Sequence, residues 1–504
     1  MTALDTVWVF GDQLNRGIGA LATARPDRDR ILLVESTGHC ASRPFHRQRL
    51  HLVLAGMRRL GAELAAEGFA VDHRRAPSLA AGLAAHRAQF RPGAVRATEP
   101  LSYGLDAFCR NADVALVRSD QFLCHRDEFA SWARGRNRLL LEDFYRWQRR
   151  THGYLMDGDE PVGGRWNLDA DNRERPPKDR RDWPALPADP LDDVDRAVLA
   201  DLPPSAVGAD PQGWWATTRV GALERLERFV AEVLPGFGPY EDAMLRTDRN
   251  GANAWRLAHS GLSHALNVGL LLPGEVCDAV EAAYRAGRVP LASAEGFVRQ
   301  VLGWREYVWG VYWLRMPGYV EVNHLDARRP LPPAFTGAAP TAMRCVAEAV
   351  EGIHERAWLH HIQRLVVLAN LGTTAGVEPM ALARWMAESF VDGAEWVMLP
   401  NVLGMGTFAD GGSMSTKPYA TGGAYLKRMS DYCSGCRFDP AKRTGPDACP
   451  FTTLYWDFLD RNRSRLRGNH RLAQPYANLD RLGDLDAVRA RAAEVLEMLD
   501  AGRL

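Results

Sequence analysis

Four cysteines form the most specific chemical pattern in the chain: Cys345, then Cys433-Ser-Gly-Cys436, then Cys449-Pro450. A Cys-x-x-Cys turn bends the backbone so that two thiolates face one centre. The twelve residues between Cys436 and Cys449 close a loop that brings a third, and Cys345 can supply a fourth from a distant helix. Four thiolates suit a zinc ion or an iron–sulfur cluster, and proline straight after the last cysteine recurs in iron–sulfur ligation; spacing alone leaves both open. Cys40, Cys109, Cys124 and Cys277 lack such spacing and are expected as buried apolar residues. The adjacent His360 and His361 are a second candidate centre. Unperturbed histidine titrates near ~6.5, so such a side chain can donate a proton at neutral pH. Gly17-Ile-Gly19-Ala-Leu-Ala22 fits a dinucleotide-binding spacing but begins seven residues after the preceding strand, which favours a plain glycine-rich loop.

These residues need elements to hold them. Residues 1–135 alternate strand and helix: strands at Val7–Phe10, Ile31–Glu35, Phe69–Val71 and Ala115–Val117, helices at Phe45–Glu67 and Leu79–Phe90. That order predicts an α/β domain with a parallel sheet, whose ligands sit beyond the carboxyl ends of the strands, here Phe10-Gly-Asp-Gln-Leu14 and Glu35. Residues 136–210 are dense in Asp, Arg and Pro and read as a connecting segment over the surface. Residues 211–504 carry helical apolar spacing at Arg219–Leu234, Gly296–Trp313, Thr341–Leu371 and Pro379–Phe390, predicting a large all-helical domain. Sixty-two basic residues balance sixty-two acidic ones, which excludes a uniformly basic nucleic-acid binder and leaves a local basic face. Arg461-Asn-Arg-Ser-Arg-Leu-Arg-Gly-Asn-His-Arg471, with five arginines and no acid, is the expected phosphate-binding stretch. No apolar run approaches the ~18–20 residues that cross a bilayer, and the start does not read as a signal peptide; a cytoplasmic monomer without membrane contact is expected.

Several further stretches act together with the four-cysteine pattern: Phe10-Gly-Asp-Gln-Leu14, Trp304-Arg-Glu-Tyr307, His360-His-Ile-Gln-Arg-Leu365, Pro400-Asn-Val-Leu-Gly-Met405 and Lys417-Pro-Tyr-Ala420. Over nearly its whole length the chain resembles the iron–sulfur branch of the photolyase/cryptochrome flavoproteins, the bacterial (6-4) photolyases and their cryptochrome-like relatives. The resemblance implies the photolyase/cryptochrome fold: an α/β antenna domain followed by an all-α FAD-binding domain. It implies a 4Fe–4S cluster on Cys345, Cys433, Cys436 and Cys449, and FAD held by Tyr240, His259, Ser260, Leu262, Ser263, Asn267, Trp304, Glu306, Asp392 and Asn401. It implies a lesion pocket with His360 or His361 as proton donor and Tyr419 and Tyr425 as stacking faces.

The fifteen tryptophans gain a use, because such proteins reduce their flavin by electron hopping through aromatic rings; Trp385 resembles one member of that relay. Met386 and Phe335 depart from the pattern at neighbouring relay positions, which points to a route altered through Trp358 or Trp396, and Met398 departs beside the flavin N5. The antenna implied for the first domain is 6,7-dimethyl-8-ribityllumazine, against Asp12, Gln13 and Glu35. The activity implied is light-driven repair of (6-4) photoproducts in UV-damaged DNA. The alternative is a cryptochrome-type blue-light photoreceptor with a protein signalling partner.

Overall fold

The computed structural model describes residues 4–504. Its first domain is built on five strands, β1 (Asp5–Val9), β2 (Asp29–Ser36), β3 (Ala70–Ala76), β4 (Val95–Thr98) and β5 (Ala115–Val117). They lie in the order β3-β2-β1-β4-β5, all parallel, with Val7 opposite Ile31 and Trp8 opposite Ala97. Parallel neighbours need long crossovers, which the helices Arg47–Ala66, Leu79–Phe90 and Tyr103–Asn111 supply. Side chains alternate between the two buried faces. Val7, Val9, Ile31 and Leu33 face one core with Leu52, Leu60 and Leu64, while Trp8, Leu32 and Val34 face the other with Leu83 and Cys109. The sheet order reverses at β1, so its carboxyl end is the switch point of the sheet. Strand β4, absent from the expected set, is four residues, too short for its alternation to stand out.

The segment 136–210 is more structured than its composition suggests. The helix Leu141–His152 packs into the helical domain, where Gly303 leaves room for the Tyr145 ring. The helix Asp193–Asp201 returns to the first domain, where His51 bonds Asp195 at 2.9 Å. In the helical domain the expected run Thr341–Leu371 is broken. The helix Arg344–Arg356 ends at Ala357, which takes a left-handed conformation (φ 52°), and a new helix starts at His361. Apolar spacing continues across the break because both helices bury the same side. Four segments widen into π-helical turns, Phe229–Val233, Arg299–Arg305, Gln363–Ala369 and Pro400–Gly406. No described helix is long and apolar enough to cross a membrane.

Candidate functional site

Three of the four π-helical turns, Arg299–Arg305, Gln363–Ala369 and Pro400–Gly406, contribute to the wall of one deep cavity of about 2080 Å³ in the helical domain. Wide turns of this kind push side chains out of the regular helical register and often occur at functional sites. The cavity is about twice the size of an ordinary single-ligand pocket. Its lining brings together eleven residues of the expected set: His259, Ser260, Ser263, Asn267, Trp304, His360, His361, Asp392, Asn401, Tyr419 and Tyr425. Met398, Met386, Trp358 and Trp396 also line it.

The cavity wall carries a buried ion pair. Arg364 donates to both oxygens of Asp392, at 2.9 and 3.1 Å, Ser263 Oγ donates to one of them at 2.6 Å, and Asn267 Nδ2 donates to the Asp392 carbonyl at 2.8 Å. Burial raises the Asp392 pKa, but the Arg364 guanidinium and the Ser263 hydroxyl outweigh it, leaving the carboxyl below its ordinary value. Arg364 sits inside the motif that carries the histidines, yet was not singled out from it. The whole guanidinium–carboxylate fork depends on the helix restarting at His361.

The break at Ala357–His360 turns the two histidines into different environments. His360 is buried and stacks on His259 (centroids 4.4 Å, 14° between planes), with neither ring nitrogen hydrogen-bonded. Burial, with His259 and His361 beside it, holds His360 well below the ordinary histidine pKa, and burial brings His259 to about 3. His361 is half-exposed and its Nε2 lies 3.6 Å from Asp242 Oδ1. Burial alone lowers the His361 pKa; the Asp242 carboxylate overcomes this and raises it above the ordinary value. Asp242, two residues after Tyr240, was not foreseen. It also faces Tyr425, whose phenol is pushed up to about 12 by burial and then by that carboxylate. Among the described residues, His259, His360 and His361 are the only His, Cys, Asp or Glu set of three or more whose ligand atoms all lie within 4.8 Å of one another.

Other expected residues lie outside this wall. Tyr240 packs edge-on against Trp183 at 5.5 Å, and Leu262 is fully buried in the domain core. Glu306 accepts from the Cys124 N–H at 2.9 Å and from Arg305 at 2.8 Å, with burial raising it to about 7; it ties the first domain to the second. Trp385 is buried against Phe335 at 5.2 Å, and its neighbour Met386 is the residue that reaches the cavity.

The four cysteines converge. Burial pushes the Cys345 thiol well above its ordinary value, and the nearness of Cys449, Cys433 and Cys436 raises it further. Gly435 (φ 78°) lets the Cys433–Cys436 turn close, with the Cys436 N–H donating to the Cys433 carbonyl at 3.3 Å. Cys449 stands at the start of the helix Pro450–Arg461, with the proline at its first position.

At the end of the sheet the polar groups are already engaged. Arg58 clamps Glu35 at 2.8 and 2.9 Å and His73 adds a contact at 3.0 Å. Gln13 Nε2 donates to the carbonyls of Thr98 and Glu99. Of the three expected antenna residues, Asp12 alone keeps a buried atom without a partner, its Oδ1; burial raises its pKa to about 6.

The arginine-rich stretch at 461–471 needs correction. Arg461 pairs with Asp457, Arg463 with Asp460 and Asp480, Arg465 with Asp326 at 3.8 Å, and Arg467 with Asp480. Acids brought in by the fold neutralise four of the five guanidinium groups. Arg471, which lines the cavity, has no carboxylate partner among the described residues.

A parallel α/β sheet domain joined to a helical domain around one deep cavity is the architecture of the photolyase/cryptochrome class. A solved bacterial class III photolyase from Agrobacterium tumefaciens superposes with a TM-score of 0.58 at 14% identity, covering 99% of this chain and 98% of that one. A Synechocystis cryptochrome gives 0.52 at 13% identity over 81% and 83%. The model of deoxyribodipyrimidine photo-lyase-related proteins matches residues 7–207. A protein of Agrobacterium fabrum named (6-4) photolyase is 41% identical over 510 residues, 98% of this chain and 99% of the relative. The chain belongs to the prokaryotic (6-4) photolyase-like family.

Proposed function

We propose that this protein is a DNA photolyase that uses light to repair (6-4) pyrimidine photoproducts, holding FAD in the deep cavity and the lesion at its mouth. The observation that carries the reading is the split between the two histidines: a half-exposed His361 facing Asp242, which raises its pKa, beside a buried His360 whose pKa is lowered, in a chain 41% identical over its length to a (6-4) photolyase.

The residues present suit a flavin dinucleotide. The cavity has room for it and for flipped bases together. Its lining holds the Asp392–Arg364 pair, the Ser260 and Ser263 hydroxyls, and buried donors without partners, Arg305 Nε and Trp396 Nε1. When bound, FAD supplies the light-excited electron that the repair requires. The chain's own contribution is electrostatic and positional. Arg364 and Asp392 fix a polar edge inside the cavity, Tyr419 and Tyr425 offer faces on which an extruded base can stack, and His361 holds the proton that the lesion takes up. Trp385 is the residue we assign to flavin reduction, next in sequence to Met386, which lines the cavity.

The four cysteines suit a 4Fe–4S cluster better than a single zinc. Sulfurs on one zinc lie about 3.8 Å apart, given Zn–S bonds of ~2.3 Å. Here no three of them lie within 4.8 Å of one another, a spread that a larger cluster can span. We assign the cluster a structural role. The lumazine antenna receives no role in this reading, since the bonds of Gln13 and Glu35 leave only Asp12 Oδ1 free for it.

The test is an oligonucleotide carrying one (6-4) thymine photoproduct, illuminated with photoreduced protein and resolved by chromatography. Two restored thymines support repair. Bound flavin with an unaltered lesion overturns it and leaves the photoreceptor reading.

A further inference from the structure

The mouth of the cavity has a second wall that the sequence did not single out. It is the loop from Arg134 to Leu140, which joins the helix Arg126–Ala133 to the helix Leu141–His152. Arg134, Arg136 and Arg138 are all exposed, all line the cavity, and none has a carboxylate partner among the described residues. This contrasts with the stretch at 461–471, where four arginines are neutralised. The loop is anchored at both ends: Arg136 Nε donates to the Trp132 carbonyl at 2.8 Å with its guanidinium over the Trp132 ring, and Tyr307 Oη donates to the Leu139 carbonyl at 2.8 Å.

Leu140 is the anomaly within it. It is 38% exposed at the rim of the cavity, and it occupies the N-cap of the helix Leu141–His152, where it makes no side-chain cap. Serine, threonine or aspartate would satisfy an orphan backbone N–H there, so leucine costs this helix stability. Leu314, 39% exposed, and Tyr419, 40% exposed, line the same cavity. Thus three of the six large apolar side chains that the described residues expose gather at one opening, framed by unpaired guanidinium groups. An apolar tip among free cations fits a nucleic-acid duplex, whose phosphates meet the cations and whose opened base stack accepts the tip.

We propose that the loop Arg134–Leu140 is a DNA-gripping element: Arg134 and Arg138 hold backbone phosphates, and Leu140 enters the space left in the duplex when the damaged bases turn into the cavity. The inference rests on the proposed repair function and adds to it a stretch of the cavity lining besides Arg471. No bond is made or broken in this step; it concerns binding alone.

The experiment measures binding in the dark by fluorescence anisotropy, using full-length protein over a potassium chloride series. Three probes are used: a duplex with one (6-4) lesion, the same lesion strand alone, and the undamaged duplex. Arg134→Ala/Arg138→Ala should flatten the plot of log affinity against log salt by about 0.9 per lost phosphate contact on both duplexes. Leu140→Ser should weaken lesion-duplex binding about tenfold and leave the single strand unchanged, because only a duplex has a gap to fill. Serine is the better N-cap, so this variant is not expected to unfold. An unchanged salt slope in the arginine variant, or equal losses on duplex and single strand for Leu140→Ser, overturns the proposal. Wild-type protein that does not prefer the lesion duplex to the undamaged one overturns the repair reading itself, a distinct result.

Discussion

Replacing Asp242 by asparagine removes the charge facing His361 and keeps the side chain's shape. The two groups are 3.6 Å apart. At that distance unit charges attract by about 4.6 kcal/mol at an effective dielectric of ~20, and by about 1.2 kcal/mol in water. The His361 side chain is 46% exposed, so screening places the pair towards the lower figure. A loss near 1.4 kcal/mol is about tenfold in the protonated population of His361. Asp242 raises the pKa of His361, so the donor is charged at low pH and is lost as pH rises through that raised value. Asp242→Asn moves the loss to lower pH. Repair per absorbed photon should therefore match wild type on the acid side, where the donor is charged in both proteins, and fall below it by up to about tenfold on the alkaline side. His361→Gln should lower repair by about 10²–10⁴-fold and abolish the alkaline limb, with lesion binding retained. His360→Gln should keep the limb, since His360 is held neutral throughout. The assay is chromatographic quantification of repaired oligonucleotide at equal flavin loading across the pH series. An Asp242→Asn profile superimposable on wild type, or repair at wild-type efficiency by His361→Gln, would refute the assignment of His361 as donor.

Three other outcomes follow from the geometry. Asp392→Ala removes the partner of the half-buried Arg364 guanidinium, which should cost up to about 3 kcal/mol in urea unfolding and lower the flavin content of purified protein. Glu35→Gln removes a carboxylate that burial would raise but that Arg58 and His73 hold at about 2; the variant should be about 3 kcal/mol less stable at neutral pH. That stabilisation is complete above the ordinary carboxylate range and is lost as pH falls towards 2, so chemical denaturation of the two proteins should converge in acid. Cys436→Ala should yield insoluble protein without iron; soluble, flavin-loaded, repair-competent Cys436→Ala by iron assay and spectrum would remove the structural role of the cluster.

Much of the frame was legible because it is local. The helix Leu79–Phe90 and the strand Ala115–Val117 coincide with their expected bounds, and β1–β3 differ by a few residues. Apolar runs buried on both sheet faces advertise themselves. The cavity residues expected from motifs converge for the same reason: a motif is a local arrangement preserved in register. What was not legible depends on partners from elsewhere. The break at Ala357 is a left-handed residue with no glycine to mark it. The different states of His360 and His361 come from Asp242, more than a hundred positions away in sequence, and from a stacking His259. Glu306 matches a motif yet serves an interdomain joint.

Charge shows the same division most sharply, and it bears on how a chain of zero net charge can hold a polyanion. Charge composition counts side chains, whereas a phosphate meets only those left unpaired. In the 461–471 stretch the absence of acids in sequence is undone in space by Asp326, Asp457, Asp460 and Asp480. The loop at 134–140 has fewer arginines but keeps them free, on the rim where the cavity opens. Paired guanidinium groups would have to break an existing contact to bind DNA, and the cost would cancel much of the gain. Free ones bind without that exchange. The local field at the mouth can therefore attract a duplex to the place where a flipped lesion can reach the cavity, in a chain whose charges balance as a whole.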